Sequence, residues 1–286
     1  MITYFQAITI GLLQGVSELF PISSLGHSVI FPSLVGWNIN QGNPYFLMFL
    51  VGTHLATATV LFLFFYKDWF DILKGMGRSL AQREIAQDNN YGKLGWLLVV
   101  GTIPAGIIGL LFQEKLQEAF ALPKIAALFL IANGILLYFG ELLRRKALKN
   151  QSINPDANLG KLSWWQAIKI GTMQIIALIP GFSRSGSTIV AGLFVGLSHE
   201  DAARFAFLLA TPIIGAAALL KIPELLISVS QQGIEVAIVG ALCAATSAYL
   251  SIKFLMKYFQ TKTLTPFALY CVSAGIVFSF ILFFRS

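Results

Sequence analysis

Apolar and polar positions alternate along this chain on the scale of whole membrane crossings. Six apolar stretches, at about 45–66, 95–113, 124–142, 203–221, 235–256 and 265–284, are each long enough to cross a bilayer as a helix. Two further apolar segments have a different texture. Gly11–Gly36 reads GLLQGVSELFPISSLGHSVIFPSLVG, and Gly171–Gly196 reads GTMQIIALIPGFSRSGSTIVAGLFVG. Slid by 160 positions without a gap, they match at Gly11/Gly171, Gln14/Gln174, Ser23/Ser183, Gly26/Gly186, Val35/Val195 and Gly36/Gly196. Each is a hydrophobic run broken by Pro21 or Pro180 and then by Gly26 or Gly186, with serines between. Proline removes a backbone donor and glycine permits a tight turn, so the pattern predicts two half-helices joined by an elbow.

Backbone freed at such an elbow is tolerated at membrane depth only inside protein or beside a wet cavity. Each segment is therefore read as a re-entrant pair, followed by three crossings. Three is odd, so the second copy is inverted and the elbows enter from opposite faces to meet near the midplane. The expected fold is an all-α integral membrane protein with an inverted-topology repeat, each repeat a re-entrant half-helix pair plus three transmembrane helices. It forms a single membrane domain over 1–286, with repeat 1 at about 1–145 and repeat 2 at about 160–286.

Loop charge orients this arrangement. With the elbow residue Arg184 set aside, fifteen Lys and Arg fall on one side, in and around the loops at 67–94, 143–163, 198–202 and 257–264. Four fall on the other: Lys115, Lys124, Lys221 and Arg285. The richer side is cytoplasmic, which puts both termini, the first elbow and the loops near 114–123 and 222–234 outside. Full crossing by the repeated segments would weaken this bias, which favours re-entry.

Composition agrees. Of the 286 residues 56% are hydrophobic and only 12% charged, as in a membrane protein. The net charge of +7 sits in loops, so nucleic acid is not the expected partner. Cys243 and Cys271 lie in apolar stretches and read as packed thiols without a disulfide framework. No basic residue precedes the first apolar run, so no cleaved signal peptide is expected.

The candidate chemistry gathers at the elbows. Gln14 and Glu18 are four apart and share a helix face just before Pro21. A carboxylate at membrane depth costs roughly 2.5–3.5 kcal/mol, so Glu18 needs a reason to be there. An interfacial helix-end carboxylate is the plainer reading. Ser23, Ser24 and His27 following within nine residues favour proton transfer, nucleophilic attack or metal binding. The second elbow carries Ser183, Arg184, Ser185, Ser187 and Thr188 at the start of a half-helix, an anion cradle of N–H groups, hydroxyls and a planar guanidinium. A packing turn with Arg184 paired to Glu18 is the alternative. His54, within a full span, reads as a packing or supporting residue. Gly101–Gly106 reads as a kink for close helix packing, and Ser198 as the N-cap of a helix opening at His199-Glu200-Asp201.

At these residues the chain resembles the undecaprenyl-diphosphate phosphatase family, also known as the bacitracin-resistance protein family. The resemblance rests on Gln14-x-x-x-Glu18, Pro21-Ile22-Ser23-Ser24-Leu25-Gly26-His27 and Pro180-Gly181-x-Ser183-Arg184-Ser185-x-x-Thr188, with Gly101–Ala105 and His54–Thr57 as further stretches. It covers essentially the whole chain. It implies a bacterial inner-membrane phosphatase that removes the terminal phosphate of a polyprenyl diphosphate with a divalent cation, Mg²⁺ or Ca²⁺, and returns the monophosphate carrier to cell-wall assembly. Carried over position by position, Glu18 and His27 are the essential acid and imidazole, and Ser24 is the nucleophile or a metal-site hydroxyl. Ser23, Ser183, Arg184, Ser185 and Thr188 form the phosphate site, and Glu18 with Gln14 holds the cation. Gln14 stands where the family often has glutamate, Leu25 where threonine is common, and Ala56 where glycine is common; Cys271, after Tyr270, replaces an arginine.

The expected mechanism has the headgroup entering from the outer face, Arg184 and the second elbow holding the phosphates, and Glu18 orienting His27. His27, Ser24 and water remain open as the attacking group. A transporter or flippase would use the same inverted repeat, and the acid–hydroxyl–imidazole set at Glu18, Ser24 and His27 is what argues against it. The oligomeric state is not fixed by the residues, and a homodimer is compatible with them.

Overall fold

The structure, a computed structural model, describes residues 2–40, 43–112, 122–149, 159–228 and 230–284. Lys115, Arg285 and most of the loop expected near 114–123 lie outside these residues. Helices account for the described architecture, and six of them are long and apolar enough to cross a membrane. These are α3 (Pro44–Phe64), α5 (Asn90–Leu111), α6 (Pro123–Lys149), α9 (His199–Ser228), α10 (Gln231–Tyr258) and α11 (Thr265–Phe284), and each covers one of the six apolar stretches.

The broken segments fold as helix pairs. In the first, α1 (Tyr4–Leu19) and α2 (Ser24–Leu34) flank the Pro21 elbow; in the second, α7 (Trp164–Thr172) and a 3₁₀ stretch, Met173–Leu178, lead to α8 (Arg184–Phe194). The likeness runs further upstream than Gly11 and Gly171. Thr3 and Gln6 close a capping box at the start of α1, and Ser163 and Gln166 close the same box at the start of α7, again 160 positions on. Ser23 Oγ accepts the Gly26 N–H at 3.2 Å, and Ser183 Oγ accepts the Gly186 N–H at 3.1 Å, so equivalent serines start α2 and α8. Gly36 and Gly196 both hold positive φ after these helices.

Packing follows the same correspondence. A Cβ on Gly11 would lie 2.4 Å from the Gly240 carbonyl oxygen of α10, and one on Gly171 would lie 1.9 Å from the Gly101 carbonyl oxygen of α5. Each entry helix thus docks through a glycine onto a crossing helix of the other half, a contact that only the absence of a side chain permits. Gly134 of α6 and Gly275 of α11 likewise let those two helices approach closely. This reciprocal exchange is consistent with the inverted repeat. The interior is centred on α9, where Ala202, Ala203, Phe205, Ala206, Phe207, Leu208, Leu209 and Ala210 are all buried, as befits a helix apolar on every face.

One element departs from expectation. The stretch read as a loop at 67–94 contains α4 (Tyr66–Gln82), half polar and therefore too amphipathic to register as a crossing. It packs on α5, where Asn89 Nδ2 donates to the Gly75 carbonyl at 2.8 Å and Trp96 Nε1 donates to Ser79 Oγ at 2.9 Å. Asp68 of α4 pairs with Arg204 of α9. At the start of α9, Ser198 Oγ accepts the Asp201 N–H at 3.0 Å, the expected cap. His199 does more than open that helix: its Nε2 lies 2.8 Å from Glu141 of α6, a buried carboxylate also held by Arg145 at 3.2 Å. Cys271 is buried, Cys243 is half-buried, and both are free thiols.

Candidate active site

The first elbow is built to present Ser24. Pro21 cannot continue α1, and the chain turns through Ser23, which holds φ 72°, ψ 98°. A side chain at positive φ is strained and persists only where its surroundings over-determine it. His27 supplies that restraint. Its Nδ1–H donates to the Ser23 carbonyl at 2.7 Å, and its Nε2 accepts from the Tyr270 hydroxyl at 2.8 Å. Both ring nitrogens are thereby engaged, on a side chain that is buried and lies outside the lining of the cavity described below.

The second elbow passes through Gly181 at φ 104° and starts α8 with Arg184. The two elbows are stapled by Asn133 of α6. Its Nδ2 donates to the Pro21 carbonyl at 3.0 Å, while its Oδ1 accepts the Ser183 N–H at 3.0 Å. Ser185 adds a second tie by donating to the Phe20 carbonyl at 3.2 Å. Backbone groups that the elbows free are thus satisfied by each other's half of the chain, as buried polar groups must be.

Glu18 stands where the halves meet. Its Oε1 lies 2.8 Å from Arg184 Nη2. Its Oε2 accepts from Ser24 Oγ at 2.5 Å and from Gln14 Nε2 at 2.9 Å, with His54 Nε2 3.2 Å away. The carboxylate is almost wholly buried, at 6% exposure, so its charge depends on these donors and on Arg184. A cavity of about 400 Å³ opens onto it, lined on the polar side by Glu18, Ser24, His54, Ser183 and Arg184. The remaining wall is largely apolar and includes Leu50 and Val51 of α3 and Ile213 and Ala217 of α9, with Lys221 also lining it. Arg184 Nη1 is buried and makes no hydrogen bond.

The structure brings Glu18, Ser24, Gln14 and Arg184 together and adds His54. It holds His27 apart, on the backbone of the elbow. Ser23 and Ser183 spend their hydroxyls on capping, and Ser183 Oγ is also 3.0 Å from Ser185 Oγ. Thr188 donates back to the Arg184 carbonyl, one turn up its own helix. Asn133 and Tyr270 were not singled out from the sequence. Asn133 carried no signal beyond being an amide in an apolar stretch, whereas Tyr270 adjoined a recognised departure at Cys271.

A hard cation would find oxygen donors here. Among the described residues no group of three His, Cys, Asp or Glu side chains forms a ready-made ligand set. Glu18 and Ser24 are the side chains that could hold an ion such as Mg²⁺, which takes most of its shell from water and phosphates, although both Glu18 oxygens already accept from Arg184, Ser24 and Gln14. Gln14 turns its Nε2 to Glu18 and its Oε1 to Ser28 Oγ, 3.3 Å away, so its oxygen is directed away from the carboxylate.

The chain is similar to curated proteins over nearly all of its length. It is 46% identical to the undecaprenyl-diphosphatase of Mycolicibacterium paratuberculosis, covering 96% of this chain and 95% of that protein. It is 44% identical to undecaprenyl-diphosphatase 2 of Chromobacterium violaceum, covering 95% of this chain and 96% of that one. The family model described as Bacitracin resistance protein BacA matches residues 7–277, and with both elbows inside that match the chain belongs to the BacA family.

Proposed function

We propose that the protein is a membrane phosphatase that hydrolyses undecaprenyl diphosphate, or a polyprenyl diphosphate of that kind, to the monophosphate and inorganic phosphate, renewing the lipid carrier of cell-wall synthesis. The observation that carries this reading is the 2.5 Å hydrogen bond from Ser24 Oγ to Glu18 Oε2, at a cavity whose wall beyond its polar end is largely apolar. A carrier that only moved an anionic lipid would have no use for a hydroxyl poised on a carboxylate.

In the proposed reaction the isoprenoid tail lies along the aliphatic wall and the diphosphate meets Arg184, whose unpartnered Nη1 is a ready donor to a phosphate oxygen. Ser24 Oγ attacks the terminal phosphorus as its proton passes to Glu18. The bond from that phosphorus to the bridging oxygen breaks, and the electron pair leaves with the lipid monophosphate, which takes the proton from Glu18. Water then attacks the phosphoserine, Glu18 receives its proton and returns it to Ser24, and phosphate departs. His27 serves by fixing the strained carbonyl of Ser23, because both of its nitrogens are already engaged. A Mg²⁺ or Ca²⁺ ion at Glu18 would, when bound, neutralise charge on the diphosphate.

The same reading sets the protein in the bacterial plasma membrane with the cavity open to the outer face and both termini outside; its support is the bias of Lys and Arg among the loops. The test is phosphate release from undecaprenyl diphosphate by the purified protein in detergent. Release that falls with chelator and vanishes in Glu18→Gln is expected. A wild-type protein that releases no phosphate with either Mg²⁺ or Ca²⁺ present overturns the proposal.

A further inference from the structure

His54 begins a chain of hydrogen bonds that ends on Ser24. Its Nδ1–H donates to the Leu50 carbonyl at 2.8 Å, one turn back on α3, which fixes the ring. Nε2 then faces two groups, Gln14 Nε2 at 3.1 Å and Glu18 Oε2 at 3.2 Å. The Gln14 amide has two N–H groups and two partners. One is His54 Nε2 and the other is Glu18 Oε2 at 2.9 Å. Its own Oε1 accepts from Ser28 Oγ at 3.3 Å, so the amide cannot turn over without breaking every contact. Glu18 Oε2 in turn accepts from Ser24 Oγ.

The other carboxylate oxygen is drawn toward Arg184, which belongs to the opposite half of the chain. Glu18 is therefore held at both ends, and the Oε2 end meets both Gln14 Nε2 and His54 Nε2. This also gives the glutamine a reason of its own, since a carboxylate at position 14 would offer no N–H to either neighbour. His54 itself lines the cavity with a side chain 20% exposed, where burial does not require a ring. α10 and α4, the other neighbours of α3, contribute no residue to that lining.

We propose that Gln14 and His54 form a matched clamp that sets the orientation of the Glu18 carboxylate, which makes His54 a positioning residue for proton transfer from Ser24. The inference rests on the phosphatase reading and deepens it. The clamp acts on the reacting geometry and not on the lipid, so its loss appears in kcat.

Two measurements test it in the full-length protein. The first is steady-state kinetics on undecaprenyl diphosphate. His54→Leu should lower kcat about thirtyfold with KM within about twofold, a loss the size of one buried hydrogen-bond partner. His54→Gln, which returns an acceptor to the position of Nε2, should recover kcat to within about fivefold of wild type. Gln14→Leu combined with His54→Leu should lose little more than either change alone, because the two side chains act as one unit. Wild-type kcat in His54→Leu, a loss expressed in KM, no recovery in His54→Gln, or multiplicative losses in the double variant would each overturn the clamp. The second is ¹⁵N-histidine NMR, which does not depend on turnover and is simple to assign with three histidines in the chain. His54 Nδ1 should appear protonated, and the Nε2 signal should move in Gln14→Leu. An unmoved signal overturns the clamp even if the enzyme is active, whereas a wild type without activity but with the expected signals overturns only the phosphatase reading.

Discussion

Arg184 Nη2 and Glu18 Oε1 meet at 2.8 Å, although 166 positions separate the two residues in the chain. Each half of the repeat supplies one of the two charges. The pairing also divides the labour of the guanidinium, since Nη2 holds the carboxylate while Nη1 is left without a partner.

Arg184→Ala is expected to weaken both substrate binding and turnover, because it strands a buried carboxylate as well as removing a phosphate donor. Breaking a buried pair in this way costs about 3–5 kcal/mol, so the loss in kcat/KM should reach at least a hundredfold. Arg184→Lys should recover only part, since a point charge cannot serve two partners as a planar fork does. Equal kcat/KM for wild type and Arg184→Ala would remove the composite site from consideration.

Ser24 should carry the phosphoryl group between the two steps. Rapid quench with labelled diphosphate, in acid and in parallel in alkali, is expected to trap acid-stable label on Ser24, and Ser24→Ala and Glu18→Gln should trap none. Label that survives alkali but not acid would point to His27, and no label under either condition to direct attack by water.

Asn133→Leu should destabilise the protein by orphaning the Ser183 N–H and leaving the Pro21 carbonyl with only the weak Cys271 thiol donor. Each orphaned buried group costs about 1–3 kcal/mol, which corresponds to a fall of roughly 5–15 °C in the thermal midpoint. An unchanged midpoint in detergent would show that the elbows are held by other means.

Gly171→Ala and Gly106→Ala form a controlled pair on neighbouring helices. The new methyl would lie 1.9 Å from the Gly101 carbonyl oxygen in the first case and meet nothing within 4 Å in the second. Gly171→Ala should lower yield and thermal midpoint, whereas Gly106→Ala should match or slightly exceed wild type through its better helix propensity. Equal behaviour of the two variants would argue against the close docking of α7 on α5.

A reporter fused after residue 284 should respond as extracytoplasmic, in line with the Lys and Arg bias of the loops. A cytoplasmic response would reverse the side from which the lipid headgroup is drawn.

Much of this architecture was legible because bilayer physics leaves coarse marks on sequence. A run such as 265–284 has few ways to fold other than as a crossing helix, and Pro21 and Pro180 have few roles in apolar sequence other than as breaks. The amphipathic α4 escaped because half of its positions are polar, which makes it look like loop to any test for continuous hydrophobicity. Within the site, Glu18 and Arg184 stood out by cost and type, and Ser24 by its place in the elbow motif beside His27 that carries the family resemblance. Which histidine faces the carboxylate was not. His27 is near Glu18 in sequence, but the elbow turns its ring onto the Ser23 carbonyl, while His54 arrives from α3 through tertiary packing that no local spacing encodes. Asn133 was hidden for the same reason, since an amide in a span declares a need for partners without naming them.

The docking of α1 against Gly240 bears on the order of assembly. A chain made from its N-terminus has its first entry helix in the membrane long before the surface that receives it has been synthesised. The second entry helix suffers no such delay, because Gly101 precedes Gly171. Glu18 must therefore wait in the nascent protein, without Arg184 and without α10, until most of the polypeptide has left the ribosome. The half of the site with the greatest need for partners is the half that is born first, so interruptions of synthesis before residue 240 should yield chains whose first elbow remains a target for quality-control proteases.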